Sequence, residues 1–270
     1  MAKRQRSMPR ALADPRAARA AKRSGPAKSN ALRFRAALTG TVLTIAVLGT
    51  VLVAGASSTR RDSRIDRAVG ALLAGIPQER QTLGARTAPV TLQVFAELED
   101  YSSHGWFLTY LPAIIRDFVR TNILKIEYRS FKTNTIGSET FVKQQTAALA
   151  AGAQNKLWNY AYTFYYEQGR ERTPYVTEGY LDNIASQVPA LNIARWDIDR
   201  NTYPRIEQVV EEDQHGRADG IHVTPAYRIG RTGGALKNFT GSKSILFYGQ
   251  IHPTTYVSVE DIVRAIDQIN

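Results

Sequence analysis

Residues 36–56 constrain this chain more than any other segment, because they read AALTGTVLTIAVLGTVLVAGA and contain no charged residue. A helix rises about 1.5 Å per residue, so a segment of this length spans about 30 Å, the thickness of a bilayer's hydrocarbon core. The segment therefore predicts a single transmembrane helix. The alternative is a cleaved signal peptide, since AGA at positions 54–56 fits a small-residue cleavage site. The apolar run is longer than the ~7–15 residues usual for a signal peptide, which favours an uncleaved anchor.

Residues 1–35 form a basic tail in front of this segment. They contain eleven lysines and arginines and one acid, Asp14, whereas the whole chain carries a net charge of +11. The rest of the chain is therefore nearly neutral, which excludes a uniformly basic nucleic-acid-binding domain, and we expect no nucleic-acid partner. The composition of the tail predicts disorder. Its charge predicts a single-pass protein of the cell membrane, with a cytoplasmic N-terminus and an extracytoplasmic C-terminal domain.

The chain contains no cysteine, which excludes disulfides, thiol catalysis and thiolate metal sites. Its four histidines, at positions 104, 215, 222 and 252, show no paired spacing of the kind that zinc sites use. We therefore expect neither a metal nor another cofactor, and we expect the stability of the fold to come from packing.

The segment after the anchor, residues 57–78, predicts a polar linker followed by a short amphipathic helix. The remainder, residues 79–270, predicts one α/β domain. Its first core strand is PVTLQVF, residues 89–95. A helix follows from Tyr101 or Ser102, and Pro112 is expected to kink or interrupt it.

Further elements complete the predicted domain. ILKIEYRSF, residues 123–131, alternates as a second core strand. A helical region of three to five helices is predicted over about residues 138–220, with its aromatic residues in the core. Strand patterns return at 224–230 and 233–241, and Ser258 is expected to cap a terminal helix.

This order of elements is that of the thioredoxin fold with inserted helices, and the chain from about residue 80 resembles the DsbA-like disulfide oxidoreductases. Three stretches carry the resemblance: APVTLQVFAELED before the first helix, GIHVTPAYRIG, and GGALKNFTG before the terminal helix. In the second, Thr224-Pro225 matches the family's cis-proline. The resemblance implies an α/β, thioredoxin-like fold with a helical insertion, preceded here by the transmembrane helix and the basic tail.

The resemblance fails at the family's Glu-Cys-Pro-x-Cys turn. Asp100 stands at the first cysteine and Ser103 at the second, with Tyr101 and Ser102 between them. Disulfide exchange requires a thiolate, so we expect no redox catalysis. We expect Asp100 to place an anion at the helix N-terminus, where the family's cysteine is stabilised, because an unperturbed aspartate has a pKa of about 3.9. A purely structural N-cap at Asp100, Ser102 or Ser103 is the alternative.

A serine-nucleophile site built from Ser102 or Ser103 with His104 is a further alternative. Adjacent helical residues point about 100° apart, so Ser103 and His104 are not expected to face each other, although His222 would lie closer to the turn in the expected fold. We therefore do not predict hydrolase activity.

The resemblance also implies a peptide-binding surface beside the cis-proline, where the backbone pairs with an extended chain. The expected partner is an exported protein or peptide, bound by an adaptor or holdase. Two alternatives stay open: a thiol-disulfide oxidoreductase by family membership only, and a structural scaffold of an envelope complex. The candidate contact residues are Tyr101, Ser103, Trp106, Val223, Thr224 and Pro225.

Overall fold

The computed structural model of the protein describes residues 64–243, 246–247, 250–251 and 256–269. The predicted tail and the apolar segment at 36–56 lie outside these residues. Within the described part of the chain, no helix has both the length and the apolar character needed to cross a membrane. The anchor and the predicted domain limits therefore stay predictions.

A mixed sheet organises the domain. The described strands are β1 (Gln78–Glu79), β2 (Thr82–Leu83), β3 (Val90–Ala96), β4 (Leu124–Ser130), β5 (Ala226–Arg231), β6 (Lys237–Phe239), β7 (Leu246–Phe247) and β8 (Gln250–Ile251). The first six form one sheet, in the order β1-β2-β4-β3-β5-β6. The central strand β3 is parallel to β4 and antiparallel to β5, and β7 and β8 form a separate antiparallel pair.

Helices fill the chain between and around the strands, and five of them, α4 to α8, lie between β4 and β5. Residues 64–73 are helical and form α1. The others are α2 (Tyr101–Thr109), α3 (Leu111–Ile114), a π-helical turn (Ile115–Val119), α4 (Ser138–Gly152), α5 (Leu157–Glu167), α6 (Glu178–Ser186), α7 (Ile193–Arg200), α8 (Tyr203–Ala218) and α9 (Val259–Ile269).

The core strands and the first helix lie where the sequence predicts them. The strand predicted at 89–95 is β3, and the one predicted at 123–131 contains β4. The predicted interruption at Pro112 is confirmed, because α2 ends at Thr109 and the proline lies in the first turn of α3. A proline fits there because the first N–H groups of a helix have no intrahelical partner.

Helix α2 is held between the sheet and the inserted helices by two aromatic residues. The ring of Phe107 lies 4.4 Å from that of Tyr165 and 5.9 Å from that of Trp158, both on α5. On the other side, Trp106 packs 5.1 Å from Tyr227 of β5, and its indole N–H donates to the Val257 carbonyl oxygen at 2.8 Å. These contacts hold α2 between β5 and α5.

Helix α8 approaches the end of β4 closely. A Cβ atom added at Gly216 would lie 2.6 Å from the buried ring of Phe131. The carboxylate of Glu212, one turn earlier, accepts the Ser130 backbone N–H at 2.8 Å. The absence of a side chain at Gly216 is therefore what permits this approach.

We predict that Gly216→Ala lowers the free energy of unfolding by about 1–3 kcal/mol, because the added methyl overpacks the contact with Phe131. Gly179→Ala, in α6, is the control: nothing lies within 4 Å of its added Cβ, and alanine is favoured over glycine in a helix by up to about 1 kcal/mol. Urea denaturation followed by circular dichroism measures both. Equal effects of the two substitutions would contradict the close approach.

Candidate functional site

The turn between β3 and α2 ends at Asp100, which caps the helix. Asp100 has extended backbone angles, and its Oδ2 accepts the Ser103 backbone N–H at 2.7 Å. The Ser103 hydroxyl donates to the same oxygen, also at 2.7 Å. The N-cap interpretation is therefore correct for Asp100. Because Ser103 contacts the aspartate directly, with no histidine between them, these residues do not form the acid–base–nucleophile order of a serine hydrolase.

The Asp100 carboxyl also contacts two segments distant in the sequence. Its Oδ1 accepts the Asn134 side-chain N–H at 2.8 Å, and its Oδ2 accepts the Thr224 hydroxyl at 3.0 Å. The Thr224-Pro225 peptide bond is cis, as expected from the resemblance. The structure thus brings Asp100, together with the Ser103 that it contacts, to the cis-proline loop, residues 222–225.

Glu97 is a second buried carboxylate, three residues before Asp100. Its Oε2 accepts the backbone N–H groups of Thr133 and Asn134 at 2.8 and 2.7 Å, and its Oε1 accepts that of Thr135 at 2.8 Å. The Thr133 hydroxyl donates to the same Oε2 at 2.6 Å. The loop after β4 therefore wraps around this side chain. The sequence analysis does not identify Glu97 as a site residue. The one sequence feature that could have indicated it is a charged residue directly after a buried strand.

Burial changes the electrostatics expected at position 100. The Asp100 side chain is 1% exposed, and loss of hydration raises its pKa from the ordinary value, an effect that the Ser103 hydrogen bonds oppose and the neighbouring Glu97 reinforces. The expectation of an anion at this position assumed a carboxyl in water. The structure places it where the charged form is disfavoured.

Two further carboxyl groups surround the turn. Burial raises the pKa of Glu99, whose Oε1 accepts the Arg172 backbone N–H at 3.1 Å. Burial raises the pKa of Glu171 to about 7, although a hydrogen bond from the Tyr101 backbone opposes the shift. In the described residues no group of His, Asp and Glu side chains is arranged to hold a metal ion.

The contact candidates differ widely in exposure. Val223 is 54% exposed and Tyr101 is partly buried, so both present surface. Ser103 and Trp106 are fully buried, and Thr224 and Pro225 are buried as well. Ser103 and Trp106 therefore present no surface, and their hydrogen bonds hold α2 and its first turn in place. The contact role of the six candidate residues stays a prediction.

A cavity of about 270 Å³ opens beside the cis-proline loop. Its walls come from the loop and from β5 and the edge strand β6. Exposed Ile136, at the end of the loop that wraps Glu97, adds a second apolar side chain near the turn. The residues that give the cavity its apolar character include Ile221, Val223, Pro225, Ala226 and Phe239.

Comparison with known proteins agrees with this geometry. A family model described as Thioredoxin matches residues 78–238, more than half of the chain. No protein with a curated description matches the sequence.

Solved structures share the fold at low identity. Oxidised BdbD from Bacillus subtilis is 14% identical with a TM-score of 0.55, and the match covers 72% of this chain and 96% of that one. DsbA from Chlamydia trachomatis is 16% identical with a TM-score of 0.53, covering 70% and 90%. DsbA2 from Pseudomonas aeruginosa is 16% identical with a TM-score of 0.52, covering 73% and 97%. The expected α/β fold, thioredoxin-like and of the DsbA type, is confirmed.

We predict that Glu171→Gln stabilises the protein at pH 8 more than at pH 5. The folded-state pKa of about 7 lies above the ordinary value of 4.5, so between these values the folded chain holds a proton that the unfolded chain has released. Stability therefore falls as the pH rises through this range, and glutamine removes the loss while keeping an acceptor for the Tyr101 N–H. Urea titrations at both pH values measure the difference. A pH-independent effect of the substitution would show that Glu171 titrates normally.

Proposed function

This chain belongs to the thioredoxin family, and we propose that it is a redox-inactive, DsbA-like member that binds exported proteins or peptides as a membrane-anchored adaptor or holdase. One observation carries the proposal: a hydrogen-bonded carboxyl occupies the former thiol position, while the cis-proline loop beside it keeps an open apolar cavity. The site thus lacks the thiol needed for disulfide exchange and has a surface that can bind an extended peptide segment.

The loss of redox chemistry follows from the residues at the turn. Exchange proceeds through a mixed disulfide formed by a thiolate, and neither the carboxyl of Asp100 nor the hydroxyl of Ser103 forms that bond. Both side chains are instead satisfied by each other. The chain has no cysteine elsewhere that could substitute for them.

Peptide binding is supported by the position and size of the cavity. It lies between the cis-proline loop and β6, an edge strand of the main sheet. An edge strand offers unpaired backbone groups to an added chain, and a neighbouring pocket can receive one of its side chains. Exposed Val223 and half-buried Phe239 supply apolar contact there. The favoured ligand is an extended segment that carries an apolar side chain.

Membrane anchoring rests on the predicted helix at residues 36–56, whose N-terminal flank is strongly basic. The resulting topology, with the C-terminal domain outside the cytoplasm, would expose that domain to exported chains.

We predict that Val223→Asp reduces peptide capture about tenfold or more, because a charge would be desolvated in an apolar contact. The full-length protein, with a photoreactive amino acid at Tyr101, is crosslinked in membranes, and the labelled proteins are identified. Val263→Asp is the control, since this valine is similarly exposed, at 45%, but lies on α9 and not at the cavity. Labelling that is unchanged by Val223→Asp would contradict a peptide site here. Labelling of one fixed set of stable neighbours would favour the scaffold alternative.

We also predict that the purified full-length chain oxidises a dithiol peptide no faster than the uncatalysed reaction. The double substitution Asp100→Cys with Ser103→Cys restores two thiols at a helix N-terminus and is expected to raise the rate above that background. A cysteine introduced at exposed Ser186, near the C-terminal end of α6, is the control thiol. Catalysis by the unaltered chain would contradict the redox-inactive assignment.

A further inference from the structure

Four oxygen atoms form an unbroken chain between the two buried carboxyl groups of the turn. The first contact joins Asp100 Oδ2 to the Thr224 hydroxyl oxygen at 3.0 Å. The second joins the hydroxyl oxygens of Thr224 and Thr133 at 2.6 Å. The third joins the Thr133 hydroxyl oxygen to Glu97 Oε2, also at 2.6 Å. Both carboxyl side chains are at most 1% exposed, and Thr224 is 3% exposed. All three separations are hydrogen-bond distances.

The number of protons in this chain depends on the charge of the carboxyl groups. Three oxygen–oxygen contacts need three hydrogens, and the two threonine hydroxyls supply only two. If Glu97 and Asp100 were both ionised, one contact would bring two oxygen lone pairs together without a hydrogen. A proton on either carboxyl completes the chain, with every hydroxyl then donating in the same direction.

We infer that Glu97 and Asp100 share one proton at neutral pH, and that this proton completes the hydrogen bonds tying the cis-proline loop to the turn. The Thr224 hydroxyl donates to an ionised Asp100 carboxylate. With the proton on Asp100 this donor is reversed, so that Asp100 donates to Thr224, Thr224 to Thr133, and Thr133 to Glu97. Burial raises the pKa of Asp100, which favours this carboxyl as the holder of the proton.

The surrounding charges favour retention of the proton. Glu97 is the nearest negative group, and Glu99 and Glu171 lie around the same turn. On the opposing side, Arg172 donates to the Asn134 side-chain oxygen at 3.3 Å, and Asn134 in turn donates to Asp100. The remaining titratable groups whose charge couples to Asp100 are Tyr165, Tyr227 and Tyr256.

Release of the proton would leave one contact of the chain without a hydrogen. The longest contact, between Asp100 and Thr224, is the one expected to open, and it is the direct link between the turn and the cis-proline loop. The folded chain keeps a proton that an unfolded aspartate loses near pH 4, so stability falls as the pH rises above that value. The shared proton therefore makes the position of the loop sensitive to pH. This regulation requires no bound ligand and does not depend on the proposed peptide binding.

Carboxyl-carbon NMR tests the inference directly. The full-length protein, in detergent and labelled with ¹³C at aspartate and glutamate carboxyl carbons, is titrated with and without Asp100→Asn and Glu97→Gln to assign the two signals. One of the two carboxyl groups is expected to remain protonated at pH 7. Two ionised carboxyl groups at pH 7 would overturn the inference, whatever the behaviour of any variant.

Thr133→Val separates sharing from simple burial. Without the Thr133 hydroxyl, Thr224 is free to donate to an ionised Asp100, so the pKa of Asp100 is expected to fall. Thr133→Ser keeps the hydroxyl and is expected to preserve the titration. Thr91→Val removes a comparable hydrogen bond between two threonine hydroxyls, those of Thr91 and Thr232 at 2.8 Å, away from the carboxyl groups. This control is expected to leave the titration of Asp100 unchanged. An Asp100 signal unchanged by Thr133→Val would mean that burial alone holds the proton.

Discussion

The hydrogen bonds of the Asp100 carboxyl connect the parts of this domain that matter for its function. One oxygen caps α2 through the Ser103 N–H, and the same group contacts Asn134 after β4 and Thr224 before β5. Segments more than 120 residues apart in the chain therefore meet at one side chain. The contacts with Ser103 and Thr224 are buried, so either bond left unmade would leave a polar group without water or partner, a cost of about 1–3 kcal/mol. The position of the cis-proline loop relative to the turn follows from this constraint.

A carboxyl can replace a thiol here without disturbing the fold, since the N-terminus of a helix needs an acceptor and not sulfur in particular. Aspartate provides a better N-cap than cysteine, and its second oxygen reaches Asn134. The replacement has an electrostatic consequence, however. Glu97 already lies beneath the turn and accepts four hydrogen bonds, so Asp100 adds a second carboxyl group to an environment that is buried and already acidic.

The sequence could predict those features that depend on local pattern. Alternating apolar residues indicated β3 and β4, Pro112 indicated the end of α2, and the Thr224-Pro225 dipeptide indicated the loop beside the turn. It could not predict contacts between residues far apart, such as Glu97 with the loop at 133–135, because such contacts leave no periodic trace. The raised pKa of Asp100 could not be predicted either, because it follows from burial, which is a property of the assembled fold.

The buried carboxyl groups of the turn bear on whether it has a structural role only or a functional role as well. Glu97, Glu99 and Asp100 are each at most 2% exposed, and a fold selected for stability alone would gain by replacing such groups with apolar residues of similar size. Sites that keep buried ionisable groups where apolar residues would be more stable are typically functional sites. The apolar residues beside the turn point the same way, because exposed Val223 and Ile136 contribute nothing to the core. A buried acidic turn next to an open apolar cavity is therefore the arrangement that the proposed binding role would require.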